Sequence, residues 1–321
     1  MLFSKIIKKK FDAVLGRYEE DPALFFYTVQ DFKGLNRQEK DILSDHDILL
    51  KGAFYYYHEI DPEKLIVFDH GIGSGHRAYL KEINMLAREG YTVYSYDHTG
   101  CAQTAGKGIL GFSQGVCDLD HVLTALKQDP RFQGRKIRLA GHSWGGYSCM
   151  NAVRFHPEVS HVVSLAGFLS ARALVEQYLP SFVMKYSDEI MDRERKINPR
   201  YADLDARESL LKSDAAFFHI QSIDDEMVKY DLCYRPLEEA LKNRNRTVMV
   251  TLERNGHEPQ LSEQAAQMKE AMSKRLKKLN SKGKLDSDQA RKEFRESYDW
   301  EALTEQDERN WNMIFDFLAE E

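Results

Sequence analysis

The stretch Ile137-Arg138-Leu139-Ala140-Gly141-His142-Ser143-Trp144-Gly145-Gly146 decides how this chain folds. An apolar run ends in the pattern Gly-x-Ser-x-Gly, and helix-forming residues follow it. This combination predicts a strand that turns sharply into a helix, with Ser143 strained at the turn and its hydroxyl exposed above the sheet. Gly141 and Gly145 are required because a Cβ at either position would collide with the neighbouring strand or helix. Five-residue matches occur by chance, so the flanking strand and helix carry the prediction.

Strands and helices alternate around this turn. Alternation of this kind predicts an α/β fold, in which helices cover both faces of a mostly parallel sheet. The predicted strands cover residues 64–69, 91–96, 136–140, 159–165, 215–222 and 247–252, and the predicted helices cover residues 77–89, 115–127, 145–155 and 227–243.

Several segments depart from the alternation. Residues 167–213 are helical and partly apolar, and they are too long for an ordinary loop, so we interpret them as a cap between two strands. The core then comprises residues 46–166 and 214–321, with a charged helical insertion at about 261–300 and a final helix at 305–320. Residues 1–45 are expected to form a helical extension. Residues 48–50 and 53–58 are expected to form a strand pair.

The first residues of the chain form an amphipathic pattern. Apolar residues between Leu2 and Leu15 recur every three or four positions, and Lys5, Lys8, Lys9 and Lys10 lie between them. This spacing predicts a basic helix. Its apolar side has two interpretations: packing on the body of the protein, or contact with a membrane surface or a partner.

Composition limits the class of function. The 321 residues include 42% hydrophobic and 30% charged residues, which supports a packed core, and the net charge of -6 gives no reason to expect a nucleic-acid partner. The four cysteines are widely spaced and show no zinc pattern, so no metal is expected. We expect reduced thiols and a cytoplasmic location, because neither a spanning segment nor a signal peptide is recognisable.

A serine hydroxyl is nearly inert at neutral pH, so Ser143 requires a base. His257 is the best candidate, because it lies on a loop after the last predicted strand and can reach over the strand ends. The competing histidines lie near helix ends or within strands, where an ordinary packed role is expected; they are His142, His156, His161 and His219.

The base in turn requires an acid that orients it. Adjacent carboxylates follow the preceding strand, and Asp225 is preferred because its spacing from Ser222 and Val228 fits the pattern Gly-x-x-Asp-x-x-Val with serine in the glycine position. Asp224 remains an alternative. The aspartate that is not the acid is expected to cap the helix that starts near Met227.

The same chemistry requires donors for an oxyanion. The loop Asp69-His70-Gly71-Ile72-Gly73-Ser74-Gly75 follows a strand, and the backbone N–H groups of Ile72 and Trp144 form the natural donor pair. The alternative is a dinucleotide-binding loop with Asp97 as the ribose partner. This alternative is disfavoured because His76 occupies the position of the third glycine.

Taken together, these motifs resemble the α/β-hydrolase superfamily. The resemblance covers residues 48–260 and the final helix, and the order Ser143, Asp225, His257 is the order of that fold. It implies a mostly parallel sheet of about eight strands, a cap after the sixth strand and no cofactor. The chain departs from the pattern at Cys101-Ala102, where relatives often carry Gly-x-Ser, and in the insertion after residue 260.

Within the superfamily, the chain resembles serine hydrolases of the monoacylglycerol-lipase and esterase kind. This resemblance predicts cleavage of a small carboxylic ester with an apolar portion, through an acyl-enzyme on Ser143. Two alternatives stay open. One is an aminopeptidase, because the turn from Gly141 to Gly146, the nucleophile elbow, is also similar to that of proline iminopeptidases. The other is a non-catalytic protein that binds a partner or a membrane.

Overall fold

The computed structural model describes residues 9, 11–73, 75–179, 184 and 186–320. Within these residues, eight strands form one central sheet: β1 (Asn36–Glu39), β4 (Gly52–Tyr56), β5 (Leu65–Asp69), β6 (Thr92–Tyr96), β7 (Ile137–His142), β8 (Val159–Leu165), β9 (Ala216–Ser222) and β10 (Thr247–Leu252). Their spatial order is β1-β4-β6-β5-β7-β8-β9-β10. β4 is antiparallel to both of its neighbours, and the other pairs are parallel. Two short strands, β2 (Ile42–Leu43) and β3 (Leu49–Leu50), form a separate antiparallel pair.

The central strands are buried on both faces because helices cover both sides of the sheet. In β5, Leu65 and Val67 face one apolar cluster, whereas Ile66 and Phe68 face the other. This alternation follows from the two-residue period of a strand. The predicted α/β fold with a mostly parallel sheet is therefore confirmed.

The helices outside the cap and the insertion are α1 (Leu80–Arg88), α2 (Gln114–Gln128), α3 (Trp144–Ala152), α7 (Tyr230–Leu241) and α11 (Glu308–Ala319). α1 and α11 pack on one face of the sheet, and α2, α3 and α7 pack on the other. Short 3₁₀ turns occupy Val29–Asp31, Asp45–Asp47, Pro62–Lys64 and His76–Tyr79.

The cap follows β8, the sixth strand of the sheet along the chain. It contains α4 (Ala171–Tyr178), α5 (Tyr186–Ile197) and α6 (Ala206–Leu211). Buried Glu194 of α5 accepts hydrogen bonds from the backbone N–H groups of Phe112 at 2.8 Å and Ser113 at 3.1 Å, and from the Ser113 hydroxyl at 2.5 Å. The Trp144 indole N–H donates to the carbonyl oxygen of Phe112 at 2.6 Å. The cap is therefore fastened to the segment that also contacts the elbow helix.

The insertion after β10 forms α8 (Glu263–Asn280), α9 (Asp288–Glu296) and α10 (Trp300–Leu303). Its buried apolar residues form a small core with Ala23 from the N-terminal segment: Met272, Leu285, Phe294 and Leu303. Arg291 pairs with Asp21 at 2.8 Å, and the Arg295 guanidinium donates to the carbonyl oxygen of Pro22 at 2.6 Å. The insertion is thus packed against the N-terminal segment.

The structure differs from the expectation of a helical extension over residues 1–45. Asn36–Glu39 is an edge strand of the central sheet, and Ile42–Leu43 is half of the small pair. All four side chains of β1 are exposed, so this strand depends on main-chain pairing and carries no apolar pattern. The expected pairing of 48–50 with 53–58 is also wrong, because β3 pairs with β2, and β4 pairs with β1 and β6.

The predicted amphipathic helix from Leu2 to Leu15 falls largely outside the described residues. Lys9 and residues 11–14 are helical, and the side chain of Leu15 is buried in the core. Among the described residues, no helix is long and apolar enough to cross a membrane.

Candidate active site

The turn at Ser143 has the conformation that the sequence predicts. Ser143 has φ 56° and ψ -112°, between the end of β7 and the start of α3. A Cβ on Gly141 would lie 2.5 Å from the carbonyl carbon of Gly145, and a Cβ on Gly145 would lie 2.0 Å from the carbonyl oxygen of Asp69. Neither contact is sterically possible, so only glycine permits this turn.

The residues predicted as acid and base, Asp225 and His257, are joined by a hydrogen bond. His257 Nδ1 lies 2.8 Å from Asp225 Oδ2, while Asp225 Oδ1 accepts the backbone N–H groups of Met227 at 2.8 Å and Val228 at 2.9 Å. Asp224 points elsewhere: its Oδ1 accepts the N–H of Gly256 at 2.9 Å. Asp225 is therefore the partner of the histidine, and Asp224 fastens the loop that carries it. The expectation that the other aspartate caps a helix near Met227 is wrong, because Asp225 itself accepts the N–H groups there and the helix begins at Tyr230.

His257 lies against the elbow. Its ring centroid is 4.9 Å from that of His142, and the carbonyl oxygen of His257 lies 2.7 Å from His142 Nε2. Within the described residues, no hydrogen bond joins the Ser143 hydroxyl to the His257 ring. Catalytic hydrogen bonds of this kind are often loose in a protein without substrate and tighten when substrate binds.

The environment of His257 makes the ring more basic. Burial disfavours a charged ring, but the charge of Asp225 and its hydrogen bond outweigh burial and raise the pKa of His257 above its usual value. Such a ring can accept a proton and hold the resulting charge.

The candidate oxyanion donors lie on two segments that face each other. The N–H of Trp144 is at the first position of α3, where no intrahelical acceptor exists. Among the described residues, neither this N–H nor that of Ile72 donates to a protein acceptor. Nearby, His70 Nδ1 contacts the carbonyl oxygen of Gly71 at 2.8 Å, and the N–H of His98 donates to His70 Nε2 at 3.0 Å. The hydrogen bonds of His70 keep the loop folded.

The dinucleotide alternative is excluded by the environment of Asp97. This carboxylate is buried and accepts hydrogen bonds from His76 Nδ1 at 2.7 Å, the His76 N–H at 2.8 Å and the Gln103 N–H at 3.0 Å. Burial opposes ionisation, but His76 lowers the pKa of Asp97 to about 2. Asp97 is therefore engaged within the protein and is not free to hold a ribose.

The four competing histidine candidates each contact a polar side chain away from the Asp225–His257 pair. His142 contacts the hydroxyl of Tyr79, and His156 lies between two carboxylates; His161 contacts the hydroxyl of Ser160, and His219 is buried in the sheet beside Gln221. Among the histidine candidates from the sequence, only His257 is paired with a carboxylate that follows β9.

Two arrangements at the site were not predicted from the sequence. The Tyr79 hydroxyl accepts the N–H of Gly71 at 3.2 Å and lies 2.8 Å from His142 Nδ1, so it joins the loop that carries Ile72 to the turn at Ser143. Burial lowers the pKa of His142 to about 4, which keeps this ring neutral. The other arrangement is a buried cluster of His98 with Asp69 and Asp118. No spacing in the sequence signals either one.

A mostly parallel eight-stranded sheet with a serine at a strained strand-to-helix turn is the arrangement of the α/β hydrolases. A family model bears this out: residues 60–228 match Hydrolase_4, described as serine aminopeptidase, S33. The match covers more than half of the chain, so the protein belongs to this family of hydrolases.

Solved structures share the fold. An esterase of Pyrococcus furiosus is 18% identical with a TM-score of 0.54, and the alignment covers 73% of this chain and 88% of the esterase. Acetyl xylan esterase 1 of Thermoanaerobacterium is 15% identical with a TM-score of 0.52, and the alignment covers 78% of this chain and 93% of that esterase. Acylaminoacyl peptidase of Pyrococcus horikoshii is 18% identical with a TM-score of 0.55, with 71% of this chain and 39% of the peptidase covered. At these identities the likeness shows the fold alone.

Proposed function

We propose that the protein is a serine hydrolase that cleaves carboxylic esters with an apolar portion through an acyl-enzyme on Ser143. The observation that carries this proposal is the hydrogen bond between His257 and Asp225, formed beside a serine in the strained conformation of a nucleophile elbow. A serine on such a turn becomes a nucleophile when a base removes its proton.

The reaction follows from these positions. His257 takes the hydroxyl proton as Ser143 Oγ attacks the ester carbonyl carbon, and the N–H groups of Ile72 and Trp144 stabilise the oxyanion that forms. Collapse expels the alcohol, which receives the proton from His257. A water molecule then gives a proton to His257 as it attacks the acyl-enzyme, and His257 returns this proton to Ser143 Oγ as the carboxylic acid is released. Loss of one oxyanion donor typically costs about 3 kcal/mol of transition-state stabilisation.

Ion pairs in the cap occupy most of the carboxylates that could bind the free amino terminus of a peptide. An aminopeptidase needs a free carboxylate to bind the substrate ammonium group. In the cap, Glu176 and Asp188 share Arg172, at 3.3 Å and 3.0 Å, and Asp192 pairs with Arg195 at 2.9 Å. Glu189 is exposed and has no ion pair among the described residues, so it is the cap carboxylate that the aminopeptidase alternative requires.

Apolar side chains lie beside the loop after β9, which carries Asp225. The Tyr178 hydroxyl at the end of α4 donates to the carbonyl oxygen of Met227 at 2.7 Å, which brings the cap next to the segment that carries Asp225. Tyr178, Ile223 and Met227 are more than half exposed. Exposed apolar surface next to a reactive centre favours a substrate with an apolar portion.

The test is labelling by a fluorophosphonate probe, followed by a substrate panel. We expect the wild-type protein to be labelled and Ser143→Ala to remain folded and unlabelled. Folded wild-type protein that stays unlabelled would support the non-catalytic alternative. Short- and medium-chain acyl esters should be hydrolysed faster than proline amides, and the reverse order would favour the aminopeptidase.

A further inference from the structure

The insertion after β10 contributes a charged side chain to the turn that carries His257. Lys269 Nζ on α8 lies 2.9 Å from the carboxylate of Glu258, the residue that follows His257. The Glu258 side chain is 18% exposed and that of Lys269 is 32% exposed. An ion pair shielded from solvent to this extent is screened less than one on the open surface.

A second carboxylate belongs to the same cluster. Glu82 of α1 is 5% exposed and lies 3.5 Å from Gln260 Nε2, and this amide also donates to Glu258 at 2.8 Å. Burial lowers the pKa of Lys269, but Glu258 and Glu82 outweigh it and raise that pKa overall. Lys269 is therefore a charged counterion for carboxylates that would otherwise repel each other.

The turn from Asn255 to Ser262 is also held by a hydrogen bond within the turn and by a hydrogen bond to the first turn of α11. Asn255 Nδ2 donates to the carbonyl oxygen of Leu261 at 2.7 Å, and the carbonyl oxygen of Pro259 accepts Asn310 Nδ2 at 2.9 Å. Both contacts are hydrogen bonds between uncharged groups. Glu258 and Lys269 supply the ion pair that ties the turn to α8.

We propose that Lys269 is a positioning residue, which holds the Glu258 carboxylate against α8 and thereby fixes the turn that places His257 over the elbow. This inference deepens the proposed function and rests on it for the kinetic role of His257. The ion pair itself can be tested whether or not the protein hydrolyses esters.

The charges around His257 predict how the pKa of this ring changes when either partner of the ion pair is removed. Asp225 and Glu258 present negative charge to the ring, Lys269 presents positive charge, and His142 from the elbow is neutral. Removal of Lys269 leaves the Glu258 charge uncompensated, so the pKa of His257 should rise. Removal of the Glu258 charge should lower it. The opposite shifts report the two charges beside the ring, and a fall in kcat at unchanged KM reports the position of the ring.

The experiment follows the His257 ring directly, by NMR titration of protein labelled with ¹³C at histidine Cε1, with the resonance assigned from His257→Gln. We expect Lys269→Met to raise the pKa of His257 by about half a pH unit and Glu258→Gln to lower it by a similar amount. The double variant should return close to the wild-type value. With an ester substrate, Lys269→Met should lower kcat about 3- to 10-fold with little change in KM, because the misplaced base affects only the chemical step.

Two further variants complete the test. Lys269→Arg should retain the wild-type titration and rate, and Lys274→Met should do the same, because Lys274 pairs with Glu270 on the exposed side of the same helix. Unchanged His257 titration in both Lys269→Met and Glu258→Gln overturns the inference, even if both variants lose stability. A protein that shows the expected titration shifts but hydrolyses no ester or amide refutes the proposed function and leaves the role of the ion pair intact.

Discussion

At the scale of single residues, the structure shows which of two adjacent aspartates contacts His257, whereas the sequence only favours one over the other. Asp225 meets the His257 ring, whereas Asp224 accepts the N–H of Gly256 and the hydroxyl of Ser222. Spacing favoured Asp225, but spacing cannot show the direction of a side chain on a turn. The hydrogen bonds of the backbone around each carboxylate decide that direction.

Substitution of each aspartate by asparagine tests this division. Asp225→Asn should lower kcat/KM on an ester roughly 10³- to 10⁴-fold, because His257 loses the carboxylate that fixes its tautomer and stabilises its charged form. The acid limb of the pH profile should also move to lower pH, since Asp225 raises the pKa of His257. Initial rates between pH 5 and pH 9 measure both effects.

Asp224→Asn is the matched control. It keeps an acceptor for the N–H of Gly256, so we expect a loss of less than about 10-fold and an unchanged pH profile. Equal losses in the two variants would refute the assignment of Asp225 as the acid. A larger loss in Asp224→Asn would reverse it.

At the scale of elements, the apolar patterns predicted the positions of the strands. The strands at 159–165 and 247–252 match the prediction residue for residue, and the other predicted strands end within two residues of those observed. These segments have the strong apolar character of buried strands, so local sequence reports their position. β1 could not be found in this way, because an exposed edge strand carries polar side chains and depends on a partner distant in sequence.

The same reasoning explains which parts of the site the sequence missed. Ser143, Asp225 and His257 follow strand ends at the expected points of the fold, whereas Lys269 and Tyr79 meet the site through helix packing. A helix pattern shows which side of a helix is apolar. It does not show which loop a single lysine or tyrosine will contact.

The contact of Glu194 with Phe112 and Ser113, which attaches the cap, gives a prediction at this scale. Glu194→Ala leaves the N–H groups of Phe112 and Ser113 without their acceptor in a buried site, and we expect a loss of about 2 to 4 kcal/mol in the free energy of unfolding. KM for an ester should rise as well, because α5 loses its attachment beside the elbow. Chemical denaturation and steady-state kinetics measure these changes.

Glu194→Gln and Glu189→Gln provide the comparison. Glutamine at position 194 keeps an acceptor of similar size, so its loss should be smaller than that of alanine. Glu189 is exposed on the same helix and its substitution should change neither quantity. A stable Glu194→Ala variant with unchanged KM would show that the cap does not depend on this anchor.

At the scale of the whole molecule, a buried charge cluster joins separate parts of the fold beneath the elbow. His98 contacts Asp69 at the end of β5 and Asp118 on α2, and Asp118 also accepts the hydroxyl of Ser44 at 2.7 Å. The His98 ring centroid lies 4.5 Å from that of Trp144. The sheet, a helix and the N-terminal segment therefore meet at one histidine next to Trp144, the candidate oxyanion donor.

This cluster predicts a contribution to stability that falls with rising pH. Burial disfavours the charged ring, but Asp69 and Asp118 outweigh it and raise the pKa of His98 to about 9, above the ordinary 6.5. Stabilisation from a group with a raised pKa is fully present below pH 6.5 and is lost as the pH rises through about 9. Between pH 6.5 and pH 8.5 we expect the free energy of unfolding of the wild-type protein to fall by about 2 kcal/mol relative to that of the variant Asp69→Asn/His98→Gln, measured by urea denaturation. The comparison is made with the variant because burial lowers the pKa of four other histidines, and each of them adds stability as the pH rises through 6.5: His70, His142, His161 and His219. The variant replaces the Asp69–His98 pair with neutral hydrogen-bonding groups and keeps these four rings. A difference between the two proteins that stays constant or rises across this range would show that His98 is not held in its charged form.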